Sequence, residues 1–321
     1  MRGLSSIQQG ILLAALVVLP SCARERAATG ESPPVVLCTN LPLYLLTSEI
    51  VGAATPIQVE LLLDPAAGCL HDPSLAIQER KRLARAELVI AVGLGLEPFL
   101  DAFRAGTKLR IVEVGSACEL IEVGNEHDPA SSDAHTVDAT HADREPHQYN
   151  PHVWMSPAQA GRLVEKTATE LTLQFPQHRA VFESNARDLG RRLYALSGRM
   201  TTAGRGLRSR RVVTFHGLFD YLAADLGLEV VVALDAHEQG FMSAARLAEW
   251  VRRIRATRPD AILVPTGQAN RLPKVISRET GVKLVELDSL TTIDGPLPPS
   301  AWLEQRMAQN LETLENALGN E

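Results

Sequence analysis

The residues with most to offer chemically are histidines, and one of them is held in an unusual frame. Asn150-Pro151-His152-Val153-Trp154-Met155-Ser156-Pro157 sets an imidazole between two prolines with a tryptophan two residues on. Proline restricts its own backbone and that of its predecessor, so this histidine is held in one place, as a metal ligand must be. Upstream, Gly124 to His147 carries four histidines (His127, His135, His141, His147) and six acids (Glu126, Asp128, Asp133, Asp138, Asp143, Glu145), with Arg144 as the one cation. That composition cannot build an apolar core, but it can gather cations. The plainer reading of the same residues is a solvated loop followed by a structural histidine.

The elements that must position His152 follow an alternating pattern. Val35 to Thr39, Ile57 to Leu63, Glu87 to Val92 and Leu109 to Val114 read as strands. Helices are expected near 42–51, 74–86 and 97–103. Strands alternating with helices imply a parallel sheet with helices on both faces. After the histidine-rich loop, 158–174 reads as a helix, Phe175-Pro176 breaks it, and 177–202 as a second helix, a rod of roughly 40 Å. A second α/β series has strands at 211–215, 228–234, 261–265 and 283–287, with helices near 218–226, 243–257, 272–280 and 300–318. The expected fold is α/β, two lobes each with a parallel sheet flanked by helices, joined by one long rigid helix. The lobes are assigned to 35–157 and 207–321, with a helical connection over 158–206.

Ligands of open α/β sheets bind beyond the carboxyl ends of the strands. Three further side chains stand there: His71, a loop after the second strand; His216, directly after Val212-Val213-Thr214-Phe215; and Asp288, directly after the strand ending at Leu287. Individually they have plainer readings: a satisfied loop histidine, the favoured one for His71 taken alone, and a helix N-cap for Asp288. With His152 they make three imidazoles and one carboxylate, two groups from each lobe, a four-ligand set suited to a metal. Gly93-Leu94-Gly95 lacks the third glycine of a dinucleotide turn and is set aside. His178 reads as a surface histidine, His237-Glu238 as a solvated loop, and Cys69 as a buried or paired cysteine rather than a substitute ligand.

Composition bounds the rest. The chain has 321 residues, 45% of them hydrophobic and 4% aromatic, and a formal charge of −6, so the cores should be aliphatic and nucleic acid is an unsuitable partner. Arg208 to Arg211 reads as a solvated linker. Arg2 precedes an apolar run from Ile11 to Leu19 that is too short to span a bilayer and ends at Leu19-Pro20-Ser21-Cys22. This resembles a signal peptide over 1–21 closed by a bacterial lipobox, with Cys22 lipidated and 22–34 a flexible tether. Cys38, Cys69 and Cys118 remain, allowing one disulfide at most.

Several stretches together resemble the zinc/manganese class (cluster A-I) of solute-binding proteins of metal ABC importers, in lipoprotein form, over nearly the whole mature chain. They are Gly68-Cys69-Leu70-His71, Asn150-Pro151-His152-Val153-Trp154, Thr214-Phe215-His216 with Phe219 and Tyr221, and Glu279-Thr280-Gly281 running into Leu287-Asp288. The chain departs from the family pattern at Leu70 and Pro73, where a proline and an aromatic residue are usual, and at Val264. The resemblance implies a monomeric, non-enzymatic protein outside the cytoplasm, periplasmic or at the cell surface and lipid-anchored. It implies that His71, His152, His216 and Asp288 clasp Zn(II) and that a membrane permease and its ATPase receive it. Manganese members generally carry glutamate at the position of His216, so Mn(II) is the alternative cargo. A metal-binding surface adhesin is a second alternative, and a secreted metal-dependent hydrolase a third.

Overall fold

The computed structural model describes residues 32–65, 75–104, 109–123, 149–215, 217–234, 243–267, 271–299 and 301–319. The stretch expected to be a signal peptide (1–21), Cys22, Cys69, His71, His216, His237 and the histidine-rich stretch with His127, His135, His141 and His147 lie outside the described residues. Pro33 to Glu321 form one compact unit.

In the N-terminal lobe, β1 (Val35–Cys38) leads to α1 (Leu41–Val51), β2 (Gln58–Leu61) to α2 (Ile77–Arg85), and β3 (Leu88–Ala91) to a 3-10 turn at Pro98–Leu100 and the short α3 (Asp101–Arg104). β4 (Arg110–Glu113) completes a parallel sheet in the order β2-β1-β3-β4. The central strands, VVLC and LVIA, are buried along their whole length, whereas edge strands β2 and β4 are only partly covered. Continuous apolar runs are what a sheet covered on both faces requires. The helix expected at 97–103 splits into two short pieces, the first opening on Pro98. Asn40 caps α1 by accepting a hydrogen bond from the Leu43 N–H at 3.0 Å.

Two helices come next. α4 (Pro157–Gln174) starts on an N-cap at Ser156 with proline in its first turn, the arrangement that loses no backbone bond. α5 (Arg179–Gly206) has 28 residues, a rod of about 42 Å. It lies along both lobes. Asn185 donates to the Ile50 carbonyl at 3.1 Å, and Arg192 pairs with both Glu49 of α1 and Glu304, with which it is 2.9 Å apart. At its far end Gly204 presses on the Leu226 backbone so closely that a Cβ would stand 2.3 Å from the carbonyl oxygen. His178 is half-buried at the surface, edge-on to Phe182 at 6.1 Å.

The C-terminal lobe repeats the architecture. β5 (Arg211–Phe215), β6 (Glu229–Leu234), β7 (Ala261–Pro265) and β8 (Lys283–Leu287) form a parallel sheet ordered β6-β5-β7-β8. Around it stand α6 (Asp220–Asp225), α7 (Ala244–Thr257), α8 (Arg271–Thr280) and α9 (Trp302–Leu318). Arg211 is no linker: it opens β5, donates to the Thr257 carbonyl and pairs with Glu229 at 3.0 Å.

One apolar core runs through both lobes by way of α4 and α5, from Val36, Leu43 and Trp154 to Phe182, Leu193, Phe219 and Leu314. Smaller cores cover the outer face of each sheet. Cys38 and Cys118 are buried and unpaired, and burial pushes both thiols up to about 12. Among the described residues no helix is long and apolar enough to cross a membrane.

Candidate metal centre

His152 ends an extended stretch and opens a 3-10 turn (Val153–Met155) that runs into α4. The residue is 4% exposed, and its ring meets Trp154 edge-on, with centroids 5.4 Å apart. Asn150 sets its orientation. The Asn150 side-chain oxygen accepts the His152 backbone N–H at 2.9 Å and faces the ring Nδ1 at 2.8 Å. The Asn150 amide nitrogen donates in the other direction, to the Gly217 carbonyl at 2.7 Å and to Asp220 at 3.2 Å. With the amide so oriented, its oxygen can only accept, so Nδ1 carries a proton, which in the neutral ring leaves the lone pair on Nε2. This is the tautomer in which an imidazole presents Nε2 to a metal, with its other nitrogen held by a neighbour.

The same turn is tied to the two segments of the second lobe that adjoin His216 and Asp288. Gly217 immediately follows His216, and its φ of +70° and the close approach of Asn150, 2.7 Å from where a Cβ would stand, explain why glycine is there. On the other side the Trp154 indole donates to the Ser289 carbonyl at 3.3 Å, one residue beyond Asp288. Asp288 is fixed from α9: its N–H donates to the Asn310 side-chain oxygen and its carbonyl accepts from Asn310, both at 2.8 Å. Its carboxylate accepts the Leu290 N–H at 2.8 Å and stands 3.5 Å from Arg306. Burial raises the carboxyl above its usual range, against the pull of that N–H and of Arg306.

The structure therefore brings the His152 turn against the residues flanking His216 and Asp288. His71 and His216 lie outside the described residues, and within those described no cluster of three or more potential metal ligands occurs.

A family model described as ZnuA, zinc-uptake complex component A periplasmic, matches residues 36–317. The chain belongs to this family. Among curated relatives of this family member, the zinc-binding lipoprotein AdcA of Streptococcus pneumoniae is 28% identical over 293 residues, 88% of this chain and 56% of the relative. The chain thus spans about half the length of the streptococcal proteins it matches. A putative metal-binding protein of Treponema pallidum is 24% identical and matched over 91% of this chain and 89% of its own. Among solved structures, the Pseudomonas aeruginosa solute-binding protein FpvC with Mn2+ superposes with a TM-score of 0.74 at 24% identity, covering 89% of this chain and 98% of FpvC. The Streptococcus agalactiae laminin-binding protein Lmb gives 0.70 at 21% identity, covering 88% and 99%. These likenesses show the shared two-lobe fold.

Several buried polar residues near these turns and strand ends carry less sequence signal than the histidines. Asp220 accepts from Thr214 at 3.2 Å as well as from Asn150, and burial raises its carboxyl. Tyr221, 2% exposed, spans from α6 to the N-terminal lobe. Glu97, 7% exposed, accepts from the Thr39 hydroxyl and from the Val92 and Gly93 N–H groups at 2.7, 3.0 and 2.8 Å, at the carboxyl ends of β1 and β3. An asparagine two residues before a histidine is a usable signal, since that spacing suits an Asx turn. Tyr221 was marked only through the stretch it shares with His216 and Phe219, and nothing local marks Asp220 or Glu97.

Proposed function

We propose that the chain is the extracytoplasmic metal-binding component of an ABC importer, which captures Zn(II) between its lobes and passes it to a membrane permease and its ATPase. Family membership over residues 36–317 supports the metal-uptake setting. One observation carries the assignment of the site: Asn150 fixes the His152 tautomer with one end of its amide and holds the turn beside His216 with the other. His71, His152, His216 and Asp288 are the ligands in this reading. Three neutral imidazoles and one carboxylate suit four-coordinate zinc, whereas manganese prefers a shell dominated by oxygen. A closed set of four leaves no position for a reactive water, so the reading is of a binding protein rather than an enzyme. Cys22 anchors the protein to a membrane by lipid, and His127, His135, His141 and His147 collect ions without forming the tight site.

The test is metal analysis of the purified protein with direct competition among zinc, manganese and copper, repeated on His152→Ala. One tight zinc per chain that His152→Ala loses is the expected result, with affinity falling below about pH 6.5 as histidines take up protons. A parent that prefers manganese, or a His152→Ala protein that binds as tightly as the parent, overturns the reading. Loss of lipid labelling in Cys22→Ser tests the anchor separately.

A further inference from the structure

We propose that Tyr221 is a positioning residue for metal retention, a latch on the C-terminal lobe whose hydroxyl holds the His152 turn and both ends of the histidine-rich segment. This role rests on the metal-binding reading of the chain.

The Tyr221 hydroxyl donates to the Asn150 carbonyl at 2.8 Å and accepts the Ile121 N–H at 3.1 Å. Those two residues also bond to each other, Asn150 N–H to the Ile121 carbonyl at 2.8 Å, and just beyond them Glu122 and Tyr149 form an antiparallel bridge. The chain entering the segment at Val123 and the chain leaving it at Tyr149 are thus stitched together and gripped by one oxygen atom from the opposite lobe. Burial raises the phenol further above its ordinary range, so it stays protonated and able to donate.

The grip reaches His152 through Pro151. Proline has no N–H, so the Asn150–Pro151 peptide offers only its carbonyl for anchoring, and Tyr221 takes it. The orientation of that peptide plane sets where His152 begins. Meanwhile the Asn150 side chain bonds to Gly217 and Asp220, so the first turn of α6 and its approach hold this one residue at three points.

Separating the lobes would hand the Ile121 N–H and the Asn150 carbonyl to water. In Tyr221→Phe the ring still fills the core, but the closed arrangement leaves the buried Asn150 carbonyl and the part-buried Ile121 N–H without this partner, a penalty that the open arrangement escapes. The variant therefore opens more readily around a bound ion.

The experiment loads the mature full chain with zinc and follows release into excess chelator by stopped flow, for parent and Tyr221→Phe. Hydrogen exchange at the Ile121 amide and thermal melting of the metal-free protein are measured alongside. Release about 10- to 100-fold faster with association within about twofold, together with faster Ile121 exchange, is expected. Unchanged release overturns the proposal, including the case where melting falls but release does not, since that is a purely structural tyrosine. A parent that holds no zinc removes the metal-binding reading and this role with it. Faster Ile121 exchange in metal-free Tyr221→Phe would still show the tie between the lobes, so the two failures are distinguishable.

Discussion

Replacing Asn150 by alanine removes four hydrogen bonds at once: those to the His152 N–H, the His152 Nδ1, the Gly217 carbonyl and Asp220. A buried hydrogen bond contributes about 1 kcal/mol net, and an orphaned buried group costs about 1 to 3 kcal/mol. Small shifts will let water reach some of these groups, so a stability loss of about 2 to 4 kcal/mol is expected, with a fall in melting temperature on the order of 5 °C. Binding should suffer separately. Without its partner the His152 ring can turn and exchange tautomers, and loss of such a partner typically costs about 10- to 100-fold in metal affinity, or about 1.4 to 2.7 kcal/mol. Urea unfolding of the metal-free protein reads the first effect, and chelator competition for zinc reads the second. Affinity within twofold of the parent would refute the reasoning, whatever happens to stability, because orientation of His152 is the effect being claimed.

Three further outcomes rest on the geometry. Arg192→Met removes the clip between Glu49 and Glu304, but Arg192 is 41% exposed, so the cost should be no more than about 1 kcal/mol and should shrink in high salt, as urea unfolding at two ionic strengths would show. Cys38 and Cys118, with thiols pushed up to about 12, should resist alkylation at pH 8 until the protein unfolds; rapid labelling mapped by mass spectrometry would contradict their burial. Burial lifts Glu97 from an ordinary 4.5 to about 7, so the folded chain holds a proton that the unfolded chain releases in that interval, and stability falls as pH rises from about 5 to 7. Glu97→Gln should flatten that slope, by on the order of 3 kcal/mol if the whole shift is expressed, and an unchanged slope in metal-free unfolding would contradict the assignment.

Strands β1, β3, β5 and β7 were legible because a parallel sheet covered on both faces demands unbroken apolar runs, and VVLC, LVIA and AILVP are such runs. The long helix was legible from its length and from the Phe175-Pro176 break before it. The Gly93-Leu94-Gly95 turn was set aside as a dinucleotide fingerprint, and in the structure the N–H groups of Val92 and Gly93 hold the chain's own Glu97 carboxyl group. What stayed hidden was whatever depends on two distant segments meeting. Tyr221 and Asn150 lie 71 positions apart, and Trp154 and Ser289 lie 135 apart, so no local spacing announces either pair. The two lobes joined by a long helix were legible, but the core they share was not, because apolar positions in a sequence do not say which lobe they will face.

That shared core bears on how the protein could serve as a measuring device. A two-lobed binder with a hinge can report its ligand through the distance between dyes placed on each lobe. Here Phe182, Leu193 and Phe219 belong to one dry interior spanning both lobes, and a wide opening would expose it to water. Dyes at the far ends of the lobes would move little between the empty and loaded protein. A single environment-sensitive dye beside Val123 or Tyr149, where the two chains at the base of the histidine-rich segment meet, would sit where a small rearrangement changes solvent access most.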